Sequence, residues 1–279
     1  MLFRASYSGT MTPAGEGRYA FGNLRAVQRE RLRTLEALLD EGTIRQLEAR
    51  GVAGGWHCLE AGAGGGSIAA WLCERVSPGG SVLATDLDTT VLAELSHPNL
   101  DIRVHDVLAD GLPDAAFDLI HLRLLLAWLQ EPQVALRRLI AALKPGGWLV
   151  AEEMDFVSAV PDSRLAADSR DLIARAVHAH NTVLAARHGF DPFYGRRLVG
   201  ELEDAGLAEI GCEGRASMWR GGEAGGSMWR LTLAQLHEPM IASGLVTSAD
   251  LDAIFALCED PRFSILSQIT MAGWGRRGA

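Results

Sequence analysis

Residues 59–67 read LEAGAGGGS, a glycine-rich stretch that follows a short apolar run and precedes a helical pattern. Glycine has no Cβ and tolerates a positive φ, so the backbone of such a stretch can approach a ligand closely. If the stretch joins a parallel strand to a helix, its amides and the helix N-terminus face a ligand at the carboxyl end of a sheet. The stretch therefore predicts a ligand-binding turn between a strand and a helix.

The spacing of the glycines distinguishes two classes of ligand. A dinucleotide fingerprint requires GxGxxG; Gly62 and Gly64 fit its first two positions, but the third falls on Ser67. The glycines run on to Gly66 instead, and Glu60 stands two residues before the first of them. A carboxylate is an awkward neighbour for a pyrophosphate and a suitable one for the cationic amine and sulfonium of S-adenosylmethionine. The turn favours S-adenosylmethionine, with a nicotinamide oxidoreductase as the alternative.

Composition limits the classes of protein to which the chain can belong. It has 279 residues, of which 48% are hydrophobic, enough for one large α/β domain with a sizeable core. The formal net charge of −9 argues against a nucleic-acid partner, because such binding neutralises phosphates with Lys and Arg. The most apolar window, residues 117–129, is too short for a membrane span.

Four cysteines are spread along the chain without a CxxC pair or zinc spacing, so we expect reduced thiols, no metal and a cytoplasmic protein. The first 22 residues lack the apolar core of a signal peptide. They are rich in Gly, Ser and Thr and predict a loop or lid.

Strand and helix patterns alternate through the middle of the chain. The predicted strands are 56–60, 81–85, 101–105, 117–122 and 148–152, and the predicted helices between them are 66–76, 89–95 and 131–143. Repeated β–α units of this kind predict a doubly wound α/β sheet with right-handed crossovers.

On either side of this region, the regular alternation of strand and helix patterns is absent. We expect one helix from Asn23, a second at about 43–50 that ends at Gly51, and further helices and strands after Asp155. Those after Asp155 are helices 163–188, 195–205, 227–243 and 248–259, a strand near 207–213 and a final strand near 264–273.

Acidic residues close two of the predicted strands. Asp86 ends the second strand in ATDLD, where a carboxylate can accept hydrogen bonds from ribose hydroxyls. Asp106 ends the third strand in VHDVL, where it can accept from an adenine amino group while Val107 packs on the ring. Both acids indicate an adenosine-containing ligand.

The segments LEAGAGGGS, ATDLD, VHDVL, FDLIHLRLLLAWL and LKPGGWLVAEEMD, in this order and spacing, resemble the class I S-adenosylmethionine-dependent methyltransferases. The resemblance covers roughly residues 19–156, and the flanks are similar to a bacterial small-molecule branch of that family. It implies a seven-stranded sheet whose last strand is antiparallel, with N-terminal helices and a helical insertion forming a lid. The implied division is 1–50 for N-terminal lid and helices, 51–156 for the cofactor-binding Rossmann-like core, and 157–279 for a helical substrate lid with C-terminal strands that complete the sheet.

The resemblance also implies roles for particular residues. Glu60 and the three alternate glycines of the turn would hold the methionine part of S-adenosylmethionine, and the other roles fall on residues along the next strands. Asp86 and Leu87 would hold the ribose and one face of the adenine, and Asp106 and Val107 would contact the adenine as well. Leu122 and Arg123 would lie beside the methionine part. Tyr19 would cover the carboxylate of the methionine part.

The sequence gives fewer indications of the methyl acceptor than of the cofactor. The segment after the fourth strand is His121-Leu-Arg-Leu, which lacks the Asp/Asn-Pro-Pro-Tyr tetrad of the amino-methylating DNA and glutamine enzymes of this family. A base is needed only where the acceptor must lose a proton, and His121, His178 and His180 are the candidates. Positions 178 and 180 do not share a helix face, so at most one of them faces the substrate.

Two further groups of residues could contribute to an acceptor site. Glu152, Glu153 and Asp155 follow the fifth strand and would bind a metal or an amine, or else be solvated acids. Aromatic residues of the C-terminal region would line a pocket for a ring-containing metabolite or pack the lid core: Phe190, Phe193, Tyr194, Trp219 and Trp229.

We therefore expect a methyltransferase that acts on a small molecule, with oxygen as the first choice of acceptor and N- or C-methylation next. The partner is a small-molecule substrate, with no nucleic acid and no membrane, and a homodimer is left open. The alternatives are an NAD-dependent oxidoreductase and a protein of the same fold that binds S-adenosylmethionine without transferring methyl.

Overall fold

A computed structural model describes residues 25–278 of the chain. Elements are numbered in chain order. The helices are α1 Arg25–Ala49, α2 Ser67–Arg75, α3 Pro132–Ala142, α4 Ala167–His188, α5 Tyr194–Asp204, α6 Ala224–Gln235, α7 His237–Ala242 and α8 Ser248–Glu259. The strands are β1 His57–Ala61, β2 Ser81–Asp86, β3 Leu100–Val104, β4 Phe117–Arg123, β5 Leu143–Asp155, β6 Val160–Pro161, β7 Ala208–Arg215, β8 Met218–Arg220, β9 Ser264–Leu266 and β10 Ile269–Arg276.

Seven of these strands form one sheet in the order β3-β2-β1-β4-β5-β10-β7. The pairs from β3 to β5 are parallel, and β10 lies antiparallel between β5 and β7. This confirms the predicted doubly wound sheet with an antiparallel last strand. The strand order reverses between β1 and β4, where open α/β sheets bind ligands beyond the strands' carboxyl ends.

Helices cover both faces of the sheet, which explains the nearly continuous apolar character of the central strands. On one face, Leu47 of α1 and Leu72 of α2 pack with Cys58 and Leu119 of the sheet. On the other face, Leu139 of α3 packs in a second apolar cluster that continues into the C-terminal helices. The sheet therefore forms the middle layer of three. No helix that the structure describes has the length and apolar character needed to cross a bilayer.

The N-terminal region is one continuous helix, α1, so the prediction of a second helix at 43–50 is wrong. The hydroxyl of Thr43 donates to Glu152 of β5 and lies 3.3 Å from the Leu39 carbonyl one turn earlier, so this turn is buried and helical. Gly42 leaves space for Arg215, whose guanidinium would overlap a Cβ placed there. The glycine next to the predicted break thus makes room for a tertiary contact and does not end the helix.

The C-terminal region also differs from the prediction. The expected strand 264–273 is two strands, because the hydrogen-bond partners of the chain change near Ser267. The Ser267 N–H donates to the Ser217 carbonyl, and the Ile269 N–H donates to the Ser158 hydroxyl. The first strand, β9, forms a separate three-stranded antiparallel sheet with β6 and β8. The expected helix 227–243 is likewise divided into α6 and α7, and the expected helix 89–95 is only a 3₁₀ turn, Leu92–Glu94.

Candidate functional site

The glycine-rich turn lies between β1 and α2 and is built on left-handed backbone. The φ angles of Gly62 and Gly64 are +69° and +56°, values that a side chain would strain. The Gly64 N–H donates to Oδ2 of Asp86 at 2.9 Å, and the Asp88 N–H donates to its Oδ1 at 3.1 Å. Burial raises the pKa of Asp86, and these donors partly offset that shift. The carboxylate that ends β2 is therefore fixed against the turn by main-chain hydrogen bonds.

A cavity of about 870 Å³ opens above this turn at the carboxyl ends of β1 to β5. Its volume lies within the range of ligand pockets, which is roughly 300–1,000 Å³. Most of the residues predicted to bind the cofactor line it: Glu60, Gly62, Gly64, Asp86, Leu87, Asp106, Val107 and Arg123.

Two residues predicted to bind the cofactor lie elsewhere. Leu122 is fully buried in the apolar core and is absent from the cavity wall. Gly66 is also absent from the wall, and its lack of a side chain has a packing reason, since a Cβ there would lie 2.4 Å from Leu95. Tyr19 lies outside the described residues.

His121 lies under the cavity floor rather than facing a substrate. Its Nδ1 is 2.7 Å from Oε2 of Glu60, and its Nε2 is 3.6 Å from Oε2 of Glu152, an ion-pair distance. Burial alone would lower the pKa of this imidazole, but the two carboxylates raise it to about 9. The expectation of a substrate-facing base at His121 is thus corrected: the ring is a buried cation that holds Glu60 in position.

The buried ion pair extends to helix α1. Glu152 accepts from Arg215 at 2.7 Å and from the hydroxyl of Thr43, and its pKa is lowered by His121 and Thr43 although burial acts to raise it. Arg123 donates to Thr43 at 2.9 Å and to Asp40 at 3.0 Å. These contacts join α1 to the strand ends that carry the cavity.

Helix α1 supplies part of the cavity wall, which the sequence did not indicate. Arg31, Leu32, Leu35 and Glu36 all line the cavity. Glu36 hydrogen-bonds to Ser67 at the N-terminus of α2, and burial together with Asp40 raises its pKa. The Glu36 carboxyl group thus already occupies the helix end that would bind a pyrophosphate. The sequence predicted a helix from Asn23 but not its placement over the turn.

The two candidate histidines of α4 differ in exposure. His178 is exposed and does not line the cavity, whereas His180 is only 4% exposed and does line it. This agrees with the expectation that at most one of them reaches the substrate. Nδ1 of His180 is 2.9 Å from Oδ1 of Asn181, and burial lowers the pKa of His180 to about 4. A neutral imidazole therefore forms part of the cavity wall.

The three acids at the end of β5 do not form a solvated cluster. Glu152 and Glu153 are fully buried on opposite faces of the strand, and Asp155 forms a bidentate ion pair with Arg196 at 2.7–3.0 Å. Across residues 25–278, no group of three or more His, Cys, Asp or Glu side chains is arranged to hold a metal ion.

Aromatic residues form the part of the cavity far from the glycine turn. Trp219 and Trp229 line it as the sequence suggested, and Trp128 and Phe156, which the sequence analysis did not single out, line it as well. Phe190 is buried behind them, with its ring centroid 4.4 Å from that of Trp128 and 4.8 Å from that of Phe156. Tyr194 is buried away from the wall, and Phe193 is half-exposed.

The turn end of the cavity suits the ligand that the sequence indicates. Its carboxylates, Glu60, Asp86 and Asp106, complement a cationic ligand that also carries hydroxyl and amino donors, because ionised carboxylates only accept hydrogen bonds. Leu87 is 43% exposed although it is apolar, and its side chain at the wall provides a surface for a flat ring. These features fit S-adenosylmethionine.

Comparisons with known proteins agree with this site. Residues 59–151 match the family model described as "Methyltransferase domain". Methyltransferase str2 of Strobilurus tenacellus is 34% identical over 148 residues, which cover 52% of this chain and 50% of that protein. Methyltransferase str3 of the same organism is 29% identical over 154 residues, covering 54% and 53%. The chain thus spans about half the length of the curated relatives it matches.

A solved structure shows the same fold at low sequence identity. The YcgJ protein of Bacillus subtilis superposes with a TM-score of 0.55 at 14% identity and covers 84% of this chain and 97% of its own. The part of the chain that matches the family model contains the glycine turn and both strand-end acids, in a sheet of the predicted topology. This part of the chain is therefore similar to a methyltransferase domain in sequence, and the chain has the fold of that family.

Proposed function

We propose that this protein transfers a methyl group from S-adenosylmethionine to an oxygen atom of a small molecule. The observation that carries the proposal is that one cavity extends from the glycine turn to the aromatic wall around His180. A methyl donor bound at the turn would thus share an enclosed space with an acceptor. Methyl transfer depends mainly on such positioning and on the exclusion of water.

The cofactor roles follow from the cavity wall. Asp86 would accept from the ribose hydroxyls, with Leu87 beside the adenine. Asp106 and Val107 would contact the other side of the adenine, and Glu60 would accept from the amino group of the methionine part. When bound, S-adenosylmethionine supplies an electrophilic methyl group on a sulfonium. The protein's contribution is to hold this group in a fixed direction.

The C-terminal elements favour a small acceptor. Helices α4 and α6 contribute His180, Leu184, Met228 and Trp229 to the wall, so the chain itself covers the acceptor end of the cavity. A wall assembled within one chain encloses a molecule the size of a metabolite more readily than a segment of a polymer. The net charge of −9 also disfavours a nucleic-acid substrate.

His180 supports an oxygen acceptor over a carbon acceptor. A hydroxyl must lose its proton as the O–C bond forms, and a neutral imidazole in the wall can accept that proton. With its pKa lowered to about 4 by burial, His180 is uncharged at neutral pH and has a lone pair on one ring nitrogen. The ring is therefore available as an acceptor throughout the neutral range.

The experiment that tests this proposal has two parts. Isothermal titration calorimetry with S-adenosylmethionine, S-adenosylhomocysteine and NADH measures the ligand class, and we expect micromolar binding of the first two only. The protein is then incubated with methyl-labelled S-adenosylmethionine and a cell extract separated into metabolite, protein and nucleic-acid fractions. Label in the metabolite fraction supports the proposal; label confined to a macromolecular fraction contradicts it.

Asp86→Ala is the control for both parts, because it removes the carboxylate from the turn. It should abolish binding and labelling together. Binding of S-adenosylmethionine without labelling of any fraction would instead indicate a protein that binds the cofactor and does not transfer methyl.

A further inference from the structure

The far end of the cavity, here called the acceptor end, is lined by Trp128, Phe156, His180, Trp229 and Gln268 among others. The His180 ring lies between two aromatic neighbours, with centroid distances of 6.3 Å to Phe156 and 6.3 Å to Trp229. None of these five side chains carries a formal charge at neutral pH. This end therefore differs from the turn end, where Arg31, Glu36, Glu60 and Asp86 lie.

Two buried polar atoms of the acceptor end lack partners within residues 25–278: Nε1 of Trp229 and Oε1 of Gln268. Each side chain is only 7% exposed, and each lines the cavity. A buried donor or acceptor without a partner costs on the order of 1–3 kcal/mol, so such groups are normally satisfied. Both atoms are covered in this structure. A ligand that offers one acceptor and one donor would satisfy both once the two side chains turn toward the cavity.

A third polar atom follows from the hydrogen bonds around His180. The Asn181 side chain donates from Nδ2 to the Phe156 carbonyl at 3.2 Å, which sets the orientation of its amide. Its Oδ1 must therefore accept from Nδ1 of His180, at 2.9 Å. A neutral imidazole with its proton on Nδ1 has an acceptor lone pair on Nε2. The hydrogen-bond network thus assigns Nε2 as the acceptor that His180 offers.

We propose that the methyl acceptor is an uncharged molecule with an aromatic ring that bears a hydroxyl group and a second polar group. The ring packs among Trp128, Phe156 and Trp229, and the hydroxyl donates to Nε2 of His180. The second polar group meets Nε1 of Trp229 and Oε1 of Gln268. This assignment rests on the proposed methyltransferase function and names the substrate class for the same cavity.

The transfer balances without a further reactant. The S–CH₃ bond of the donor breaks with its electron pair going to sulfur, and an O–CH₃ bond forms on the hydroxyl oxygen. The hydroxyl proton passes to Nε2 of His180, which becomes an imidazolium and later releases the proton to water. The sulfonium loses its charge in the same step, so the total charge in the cavity is unchanged.

The charges of the wall argue against ionic substrates. A carboxylate or phosphate substrate would need a cation, but Arg123 is held by Asp40 and Thr43, and Arg31 belongs to α1 at the turn end. An ammonium group could pack on the aromatic faces, but it has no lone pair to accept from the Trp229 N–H. Apart from the acids and arginines of the turn end, the charged side chain in the described part of the wall is that of Glu131, which is exposed. An uncharged ring satisfies all three polar atoms without leaving a charge buried.

The test uses four probes of similar size: 2-naphthol, 6-hydroxy-2-naphthamide, 2-naphthoate and 2-naphthyl-trimethylammonium. Binding to the complex with S-adenosylhomocysteine is measured by calorimetry, and methyl transfer by mass spectrometry with S-adenosylmethionine. We expect both phenols to bind and to be methylated on oxygen, the naphthamide at least five-fold more tightly. The two ionic probes should bind at least ten-fold more weakly.

Three variants test the proposed contacts one at a time. Trp229→Phe keeps the ring and removes the N–H, and Gln268→Leu removes the amide; each should weaken naphthamide binding five- to twenty-fold and leave S-adenosylmethionine affinity unchanged. His180→Asn should lower kcat far more than it raises KM. Trp71→Phe is the matched control, since Trp71 lies in α2 against the other face of the sheet.

The outcomes separate this inference from the proposed function. If S-adenosylmethionine does not bind, the proposed function fails. If S-adenosylmethionine binds but neither phenol binds the complex, or an ionic probe is preferred, the substrate class is wrong while the methyltransferase function stands. Unchanged naphthamide affinity in both Trp229→Phe and Gln268→Leu would also overturn it.

Discussion

Nδ1 of His121 lies 2.7 Å from Oε2 of Glu60, and neither side chain is more than 5% exposed. With Glu152 on its other side, the imidazole is a buried cation between two carboxylates. Because the His121 ring lies beneath Glu60, it contributes to the stability of the central strands. It also holds the Glu60 carboxylate, which faces the cofactor end of the cavity. Removing the cation should therefore affect folding first and cofactor affinity second.

His121→Leu should destabilise the protein by about 3–5 kcal/mol, because the buried Glu60 carboxylate loses its cation. Glu152 loses one of its two cations and keeps Arg215. Urea unfolding at pH 7 measures the change. His178→Leu, on the exposed face of α4, is the control and should stay within about 0.5 kcal/mol of the wild type. Equal stability of the two variants would show that His121 carries no charge in the folded protein.

The same residue predicts a pH dependence of stability. The folded-state pKa of His121, about 9, lies above its ordinary value of 6.5, so the folded protein holds a proton that the unfolded chain releases. The stabilisation is fully present below about pH 6.5 and is lost as the pH rises to about 9. Urea midpoints between pH 6.5 and 9 should fall in the wild type and change less in His121→Leu.

We expect a second effect of pH on stability, at lower pH, from the titration of Glu153. Burial raises its pKa to about 8, although the N–H groups of Leu125 and Leu126 donate to its Oε1 and act to lower it. The folded protein binds the proton more tightly than the unfolded chain, so stability falls as the pH rises from about 4.5 to about 8. The slope can approach about 1.4 kcal/mol per pH unit for such a group.

Glu153→Gln tests this, because a glutamine keeps the carbonyl acceptor and cannot ionise. Its stability should vary less than that of the wild type between pH 5 and 6.5, below the window of His121. Asp114→Asn, at an exposed turn, is the control and should follow the wild type. A Glu153→Gln curve parallel to the wild type over that range would place the pKa of Glu153 near its ordinary value.

Asp86→Asn should weaken S-adenosylmethionine binding at least ten-fold. The amide has only one oxygen, so its nitrogen must face either the Gly64 N–H or the Asp88 N–H, and the charge that suits a cationic ligand is lost. Calorimetry measures the affinity. Asp101→Asn is the matched control, since Asp101 on β3 pairs with Arg103 in solvent; an equal loss in both variants would contradict a specific role for Asp86.

Adjacent glycines of the turn should respond differently to alanine. A Cβ on Gly66 would lie 2.4 Å from Leu95 and 2.8 Å from Leu92, at a φ of +86°. A Cβ on Gly65 would meet only the end of the flexible Glu36 side chain. Gly66→Ala should therefore lower the melting temperature by several degrees, and Gly65→Ala should change it little. Reversed effects would show that Glu36 is more rigidly held than Leu95.

Much of the core and of the cofactor end was predictable from the sequence because its signals are local. The glycine spacing, the apolar runs and the acids at strand ends are set by the backbone geometry of single β–α units. That geometry brings Glu60, Asp86 and Asp106 to the same edge of the sheet in any correctly ordered fold. The predicted helix break before residue 43 and the predicted single strand through Ser267 were both wrong, because the distant partners Arg215 and Ser217 decide the structure at these positions.

The sequence alone determined the doubly wound sheet and the ligand class of the turn, since periodicity and glycine spacing encode them directly. The antiparallel last strand was expected only because the segments resemble a known family. Only the tertiary structure decided that His121 is a buried cation and that His180 faces the cavity. Side-chain direction and burial depend on which elements pack together, and α1, α4 and α6 come from segments far apart in the chain. The acceptor end exists only where those segments meet.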